Sequence, residues 1–155
     1  FFEPIEHPGN PAMKFATRAA IAVATFTMLV ATARQFLGTA WQWIVVGAGI
    51  VILALTIWVN WTSDDLLALA AGNAASMLLA LVLHGTNLRS GRGTLVMCVG
   101  ILMTIAASSL LFSGGNGLFG LGLYGTLHVA LMPAVLVLFL GGLRLRRTRS
   151  PGNIT

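Results

Sequence analysis

Only a few side chains in this 155-residue sequence could take part in chemistry. There are four acidic residues, three histidines and one cysteine, and the long apolar stretches contain no carboxylate and no lysine. Paired-carboxylate acid–base catalysis and the carboxylate relay of a proton-coupled transporter are therefore excluded from those stretches. A single cysteine also rules out a disulfide framework and a cysteine-based zinc or iron–sulfur site within the chain. We expect no catalytic residue, no metal site and no enzymatic activity.

His128 is the residue best placed to carry chemistry inside an apolar stretch, ten residues from the start of the stretch 118–143. An imidazole at that depth of a membrane is costly and needs a partner. It could bind a haem or chlorin as a single axial ligand, carry protons, or form a hydrogen bond with Asn73 or a threonine hydroxyl. His84 would lie roughly 15 Å away in depth, at about 1.5 Å per helical residue, so a haem with two histidine ligands is not expected. The sequence requires no cofactor and leaves only this single-ligand haem or chlorin open.

Small residues in the third apolar stretch predict close helix packing. Ala68, Gly72, Ser76 and Ala80 recur every four residues and would share one helix face, here called the small-residue seam. This small-xxx-small pattern allows membrane helices to approach closely, so we expect the third helix to be central and tightly packed. Asn73 lies beside the seam. It is interpreted either as a hydrogen-bonding link between helices or as a ligand-binding group.

The composition indicates an integral membrane protein. Nine basic and four acidic residues amount to 8% of the chain, against about 25% in ordinary soluble domains. Hydrophobic residues make up 57%, and the mean hydropathy is +0.89. A soluble protein of this size could not cover its surface with so few polar side chains.

Five stretches are long and apolar enough to cross a bilayer, since a crossing needs about 20 mostly apolar residues. We expect an all-α bundle of about five transmembrane helices with no sizeable soluble domain. An N-terminal tail (1–14) would precede the bundle (15–143), and a basic tail (144–155) would follow it. The first span is the weakest of the five candidates. It can cross the bilayer only if the side chains of Arg18 and Arg34 extend to opposite interfaces. The predicted spans are about 15–37, 41–59, 66–83, 93–112 and 118–143.

The distribution of charge predicts the orientation. With five crossings, two basic residues fall on the side of the N-terminus and seven on the other side. The positive-inside rule then places the N-terminus outside and the C-terminus in the cytoplasm of a bacterial-type inner membrane. The tail residues would contact lipid headgroups and not nucleic acid, because they directly follow a membrane span. These residues are Arg144, Arg146, Arg147 and Arg149.

Two further features bear on the spans. All four tryptophans flank the second span, and indoles at both ends of a helix prefer the headgroup level. Pro133 lies in the fifth span and cannot donate a hydrogen bond to the Val129 carbonyl, so a kink is expected. The kink is either a bend for packing or a hinge beside a cavity.

Two classes of function remain after these exclusions. We expect a non-catalytic, multi-span subunit of a larger membrane complex, of the respiratory or photosynthetic type. The alternative is a small oligomeric transporter or channel whose path runs near His128 and the Pro133 kink. The expected partners are the lipid bilayer and either other membrane subunits or further copies of the chain.

Overall fold

The computed structural model describes residues 11–63, 66–109 and 123–148, and these residues form five long helices without a strand. Every helix is long and apolar enough to cross a membrane, which confirms the all-α class and the number of candidate spans within the described ranges. The shortest of them, 18 residues, extends about 27 Å, close to the ~30 Å of a hydrocarbon core. The helices are α1 (Pro11–Phe36), α2 (Thr39–Thr62), α3 (Leu66–Thr86), α4 (Arg92–Ser109) and α5 (Leu123–Thr148).

Backbone conformation explains where the helices join. Gly38 is extended, with ψ 160°, and separates α1 from α2. Ser63 is also extended and ends α2, and its amide donates a hydrogen bond to the Val59 carbonyl at 2.8 Å. A single 3-10 turn, Leu88–Ser90, leads from α3 to Gly91. Gly91 has φ 131°, a conformation that favours glycine, and α4 starts at the next residue.

The helices extend beyond the predicted spans at both ends of the chain. Helix α1 begins at Pro11, four residues before the predicted start of the first span, and α5 continues beyond Leu143 to Thr148, so the first residues of the predicted basic tail are helical. Arginine is a good helix former, and a helix need not stop where its apolar stretch stops. Arg149 and residues 110–122, which include the predicted 113–117 link, lie outside the described residues.

The chain divides into two compact units, and the first (Phe1–Leu83) contains α1, α2 and most of α3. Phe26 and Leu29 of α1 pack against Gly49 of α2. Near the other end of the pair, the rings of Phe15 and Trp61 meet edge to face at 5.1 Å. The missing side chain of Gly49 therefore allows α1 and α2 to approach closely.

The second unit (His84–Thr155) contains the pair α4 and α5. A Cβ atom at Gly93 would lie 3.0 Å from the backbone nitrogen of Leu145, and one at Gly100 would lie 3.0 Å from that of Leu138. From the opposite helix, a Cβ at Gly141 would lie 2.8 Å from the Met97 sulfur. These distances are shorter than side chains tolerate, so the close packing of this pair requires glycine.

The described helices differ in burial, and α4 is more buried than α3, the helix that carries the small-residue seam. In the described spans, 44% of the α4 residues are buried, compared with 22% in α3 and 11% in α2. Glycines seven residues apart, Gly93 and Gly100, bring α4 against α5 over much of its length. The small side chains of α3 permit close approach, but residues such as Ala71 and Ala75 are exposed.

Candidate functional site

A small cavity lies within the first unit, where α1, α2 and α3 meet, and it is here called the three-helix cavity. The space open to the centre of a water-sized sphere is about 10 Å³, close to what one water molecule needs. Most of the wall is apolar, and three polar side chains interrupt it. The lining residues are Ala22, Phe26, Gly49, Ile52, Leu53, Thr56, Gly72, Asn73 and Ser76.

Thr56 is the polar residue that α2 contributes to the cavity. Its hydroxyl donates a hydrogen bond to the Ile52 carbonyl at 2.7 Å, which fixes the position of Oγ1. That oxygen occupies the space that a Cβ atom would take at Gly72 of α3. Helices α2 and α3 therefore approach closely at this point, and only glycine leaves room for the Thr56 side chain.

Asn60 extends the polar face of α2 by one turn. Its Nδ2 donates to the Thr56 carbonyl at 2.8 Å, and the side chain is 8% exposed. In the part of the chain that the structure describes, Asn60 Oδ1 is buried and accepts no hydrogen bond. A buried carbonyl oxygen that accepts no hydrogen bond carries a free-energy cost. This end of the first unit therefore has a hydrogen-bond acceptor that a further donor could use.

Helix α3 contributes Asn73 and Ser76, and neither side chain makes a hydrogen bond within the described residues. Ser76 is 5% exposed. Six threonine hydroxyls in the described spans donate to the carbonyl four residues earlier, and Ser76 does not share this arrangement. These residues are Thr25, Thr27, Thr32, Thr56, Thr62 and Thr104.

The structure brings part of the predicted site together. Gly72, Asn73 and Ser76 all line the three-helix cavity, and Ala80 lies fully buried one turn further along α3. The side chain of Ala68 lies outside the described residues. Thr56 of α2 lines the cavity opposite Gly72, and the sequence did not predict this pairing. No sequence signal fixes the register between α2 and α3, so this pairing could not be predicted.

His128 belongs to the second unit and lies on an exposed part of α5. Its neighbours Val129 and Met132 are also exposed. These described residues form a helix face and do not by themselves enclose a haem or chlorin.

Arg18, which we expected to extend to a membrane interface, is 6% exposed and therefore buried against the protein. It lies on one stripe of α1 with Ala22, Thr25 and Leu29, all of which are buried. The spacing i, i+4, i+7, i+11 marks one face of a helix and is visible in the sequence.

Of the four tail arginines predicted to contact lipid headgroups, Arg144 and Arg146 are exposed at the end of α5. The side chain of Arg147 and all of Arg149 lie outside the described residues, so the contact stays a prediction. Within the described ranges, no three His, Cys, Asp or Glu side chains are grouped so that they could hold a metal ion.

Five apolar helices with close glycine contacts define the protein class as a helical integral membrane protein. The chain belongs to DUF6962, described as a family of unknown function, whose model matches residues 1–147. That match includes α1 to α4 completely and α5 up to its penultimate residue. No curated protein and no solved structure matches the chain significantly.

Proposed function

We propose that the protein is a non-catalytic subunit of a larger assembly in an inner (cytoplasmic) membrane, and that it docks through one face of α5. This outer face of α5 consists of His128, Met132, Val135 and Phe139, which are spaced i, i+4, i+7 and i+11. All four side chains are exposed. The opposite side of the helix carries Ala134 and Gly141, which are buried.

The position of His128 on this outer face is the observation that carries the proposal. His128 lies 15 residues before Leu143, or about 22 Å along the helix, and Arg144 follows Leu143. If Leu143 marks one boundary of a ~30 Å core, the imidazole lies inside the hydrocarbon region. Lipid covers Met, Val and Phe well, whereas ionisable side chains at this depth rarely face lipid and usually face other protein or a water-filled cavity. An outward-facing histidine at this position therefore favours a protein neighbour on this face of α5.

Site-specific photocrosslinking in native membranes tests the proposal. A photoreactive amino acid at Met132 would probe the outer face of α5, and the same group at Val51 would be the control. Val51 is 58% exposed and belongs to α2, whose exposed surface the proposal assigns to lipid. We expect crosslinks to a different membrane protein from Met132 and none from Val51. Crosslinks to lipid alone from both positions would contradict the docking proposal.

The alternative function is a small oligomeric transporter or channel, and one observation favours it. Pro133 is exposed on α5, as is Val129, whose carbonyl loses its usual hydrogen-bond donor because of the proline. In an oligomer that gathers several α5 helices, these carbonyls and His128 would line a common path. Crosslinking of Met132 to other copies of the chain, together with solute flux in liposomes, would support this alternative.

A further inference from the structure

We infer that the three-helix cavity binds one water molecule, which links α2 to α3 through Thr56, Asn73 and Ser76. The inference concerns the first unit alone and does not depend on the proposed docking role of α5. The volume of the cavity, about 10 Å³, matches one water molecule. Phe26, Ile52 and Leu53 belong to the apolar part of its wall.

The polar groups of the cavity are those that a buried water needs. Ser76 is 95% buried, since only 5% is exposed, and within the described residues its hydroxyl has no hydrogen-bond partner. The Asn73 amide supplies a donor and an acceptor, also without a partner in the described chain. Thr56 Oγ1 donates to Ile52 and can still accept a hydrogen bond. Three partners are typical of an internal water, and an apolar cavity of this size would stay dry.

A metal cation fits this cavity less well than a water molecule does. The three polar side chains that line it are neutral, and its wall contains no carboxylate to offset a positive charge. The same unit also buries the Arg18 side chain. A neutral ligand that both donates and accepts hydrogen bonds therefore suits the chemistry better than sodium or potassium does.

The experiment is a high-resolution density map of the full-length protein, prepared once in sodium chloride and once in choline chloride. We expect a single peak within hydrogen-bonding distance of Ser76 Oγ and the Asn73 amide, equally strong in both salts. A peak that disappears in choline chloride would identify a cation and overturn the inference. An empty cavity in both maps would overturn it as well.

A pair of variants links the peak to its partners. Ser76→Ala removes one of the three groups and should abolish the peak or reduce it strongly. Ser109→Ala is the matched control, because the Ser109 hydroxyl donates to the Ala106 carbonyl of its own helix at 2.7 Å and is exposed. The peak should keep its strength in this variant. If Ser76→Ala does not fold, the two wild-type maps still decide the question, and an unchanged peak in a folded Ser76→Ala protein would contradict the assigned partners.

Discussion

The contact between Gly72 and Thr56 allows a quantitative prediction about Gly72→Ala. From the sequence alone, this substitution should be mild, because it adds a single methyl group to a small-residue seam. The structure leads to a different expectation, because the new methyl would coincide with Thr56 Oγ1 and would lie 3.3 Å from Thr56 Cβ. Either the hydroxyl rotates and loses its bond to Ile52, or α2 and α3 move apart.

Each response has a cost that can be compared with the gain from alanine. Overpacking a well-packed site costs about 1–3 kcal/mol, and the lost hydrogen bond costs about 1 kcal/mol. Alanine is favoured over glycine in a helix by up to about 1 kcal/mol. Because only one of these responses is needed, the balance is a loss of up to about 2 kcal/mol in the free energy of unfolding. Equilibrium unfolding in mixed detergent micelles, followed by circular dichroism, measures this quantity.

A double-mutant cycle isolates the contact. Thr56→Ala removes the oxygen that the new methyl would meet, so Gly72→Ala should be almost neutral in that background, with a coupling energy of about 1–2 kcal/mol. Gly47→Ala on α2 is the control, since nothing lies within 4 Å of its Cβ position, and it should be neutral or slightly stabilising. An equal cost of Gly72→Ala in both backgrounds would refute the reasoning.

Three further predictions follow from the second unit and from the charges. Gly100→Ala should lower the free energy of unfolding by about 2 kcal/mol, because its methyl group would meet the Leu138 backbone. Gly142→Ala is the control and should not lower it, since nothing lies within 4 Å of its Cβ position. The same unfolding assay in micelles measures both variants. His128→Phe should lower the free energy of unfolding by no more than about 1 kcal/mol, the net value of one hydrogen bond, because the side chain is exposed. It should nevertheless remove a co-purifying subunit, and retention of that subunit would contradict the docking role. A reporter active only outside the cytoplasm should be silent when fused to the C-terminus and active when fused at Asn60, and the reverse pattern would overturn the N-out orientation.

The helices were predictable from the sequence because membrane helices depend on length and apolar composition more than on specific partners. The apolar stretches locate all five helices, and Gly38 and Gly91 mark two of the joints between them. Their exact ends were less predictable, as the extension of α5 to Thr148 demonstrates. Hydropathy reports where a chain can enter a bilayer, whereas helix ends depend on local backbone preferences and capping.

The candidate site was predictable only in part, because a cavity depends on how separate helices align. Asn73 and Gly72 could be selected from α3 alone, but the pairing with Thr56 requires the register of α2. The α4–α5 contact was not predicted for a related reason. Its glycines, Gly93 and Gly100, lie seven residues apart, so they do not form the pattern of small residues every four positions that predicted close packing in α3.

The exposed tryptophans of α2 give this helix a defined length with respect to the bilayer. All four indoles are at least 62% exposed, so lipid or a partner can reach them. The inner pair, Trp43 and Trp58, is about 22 Å apart along the helix, and the outer pair, Trp41 and Trp61, is about 30 Å apart. A hydrocarbon core thicker than this would draw the indoles away from the headgroups, so α2 would have to remain upright or the bilayer would have to thin around it. A bilayer whose hydrocarbon core is about 22–30 Å thick therefore matches the indoles of α2, and a thicker one does not.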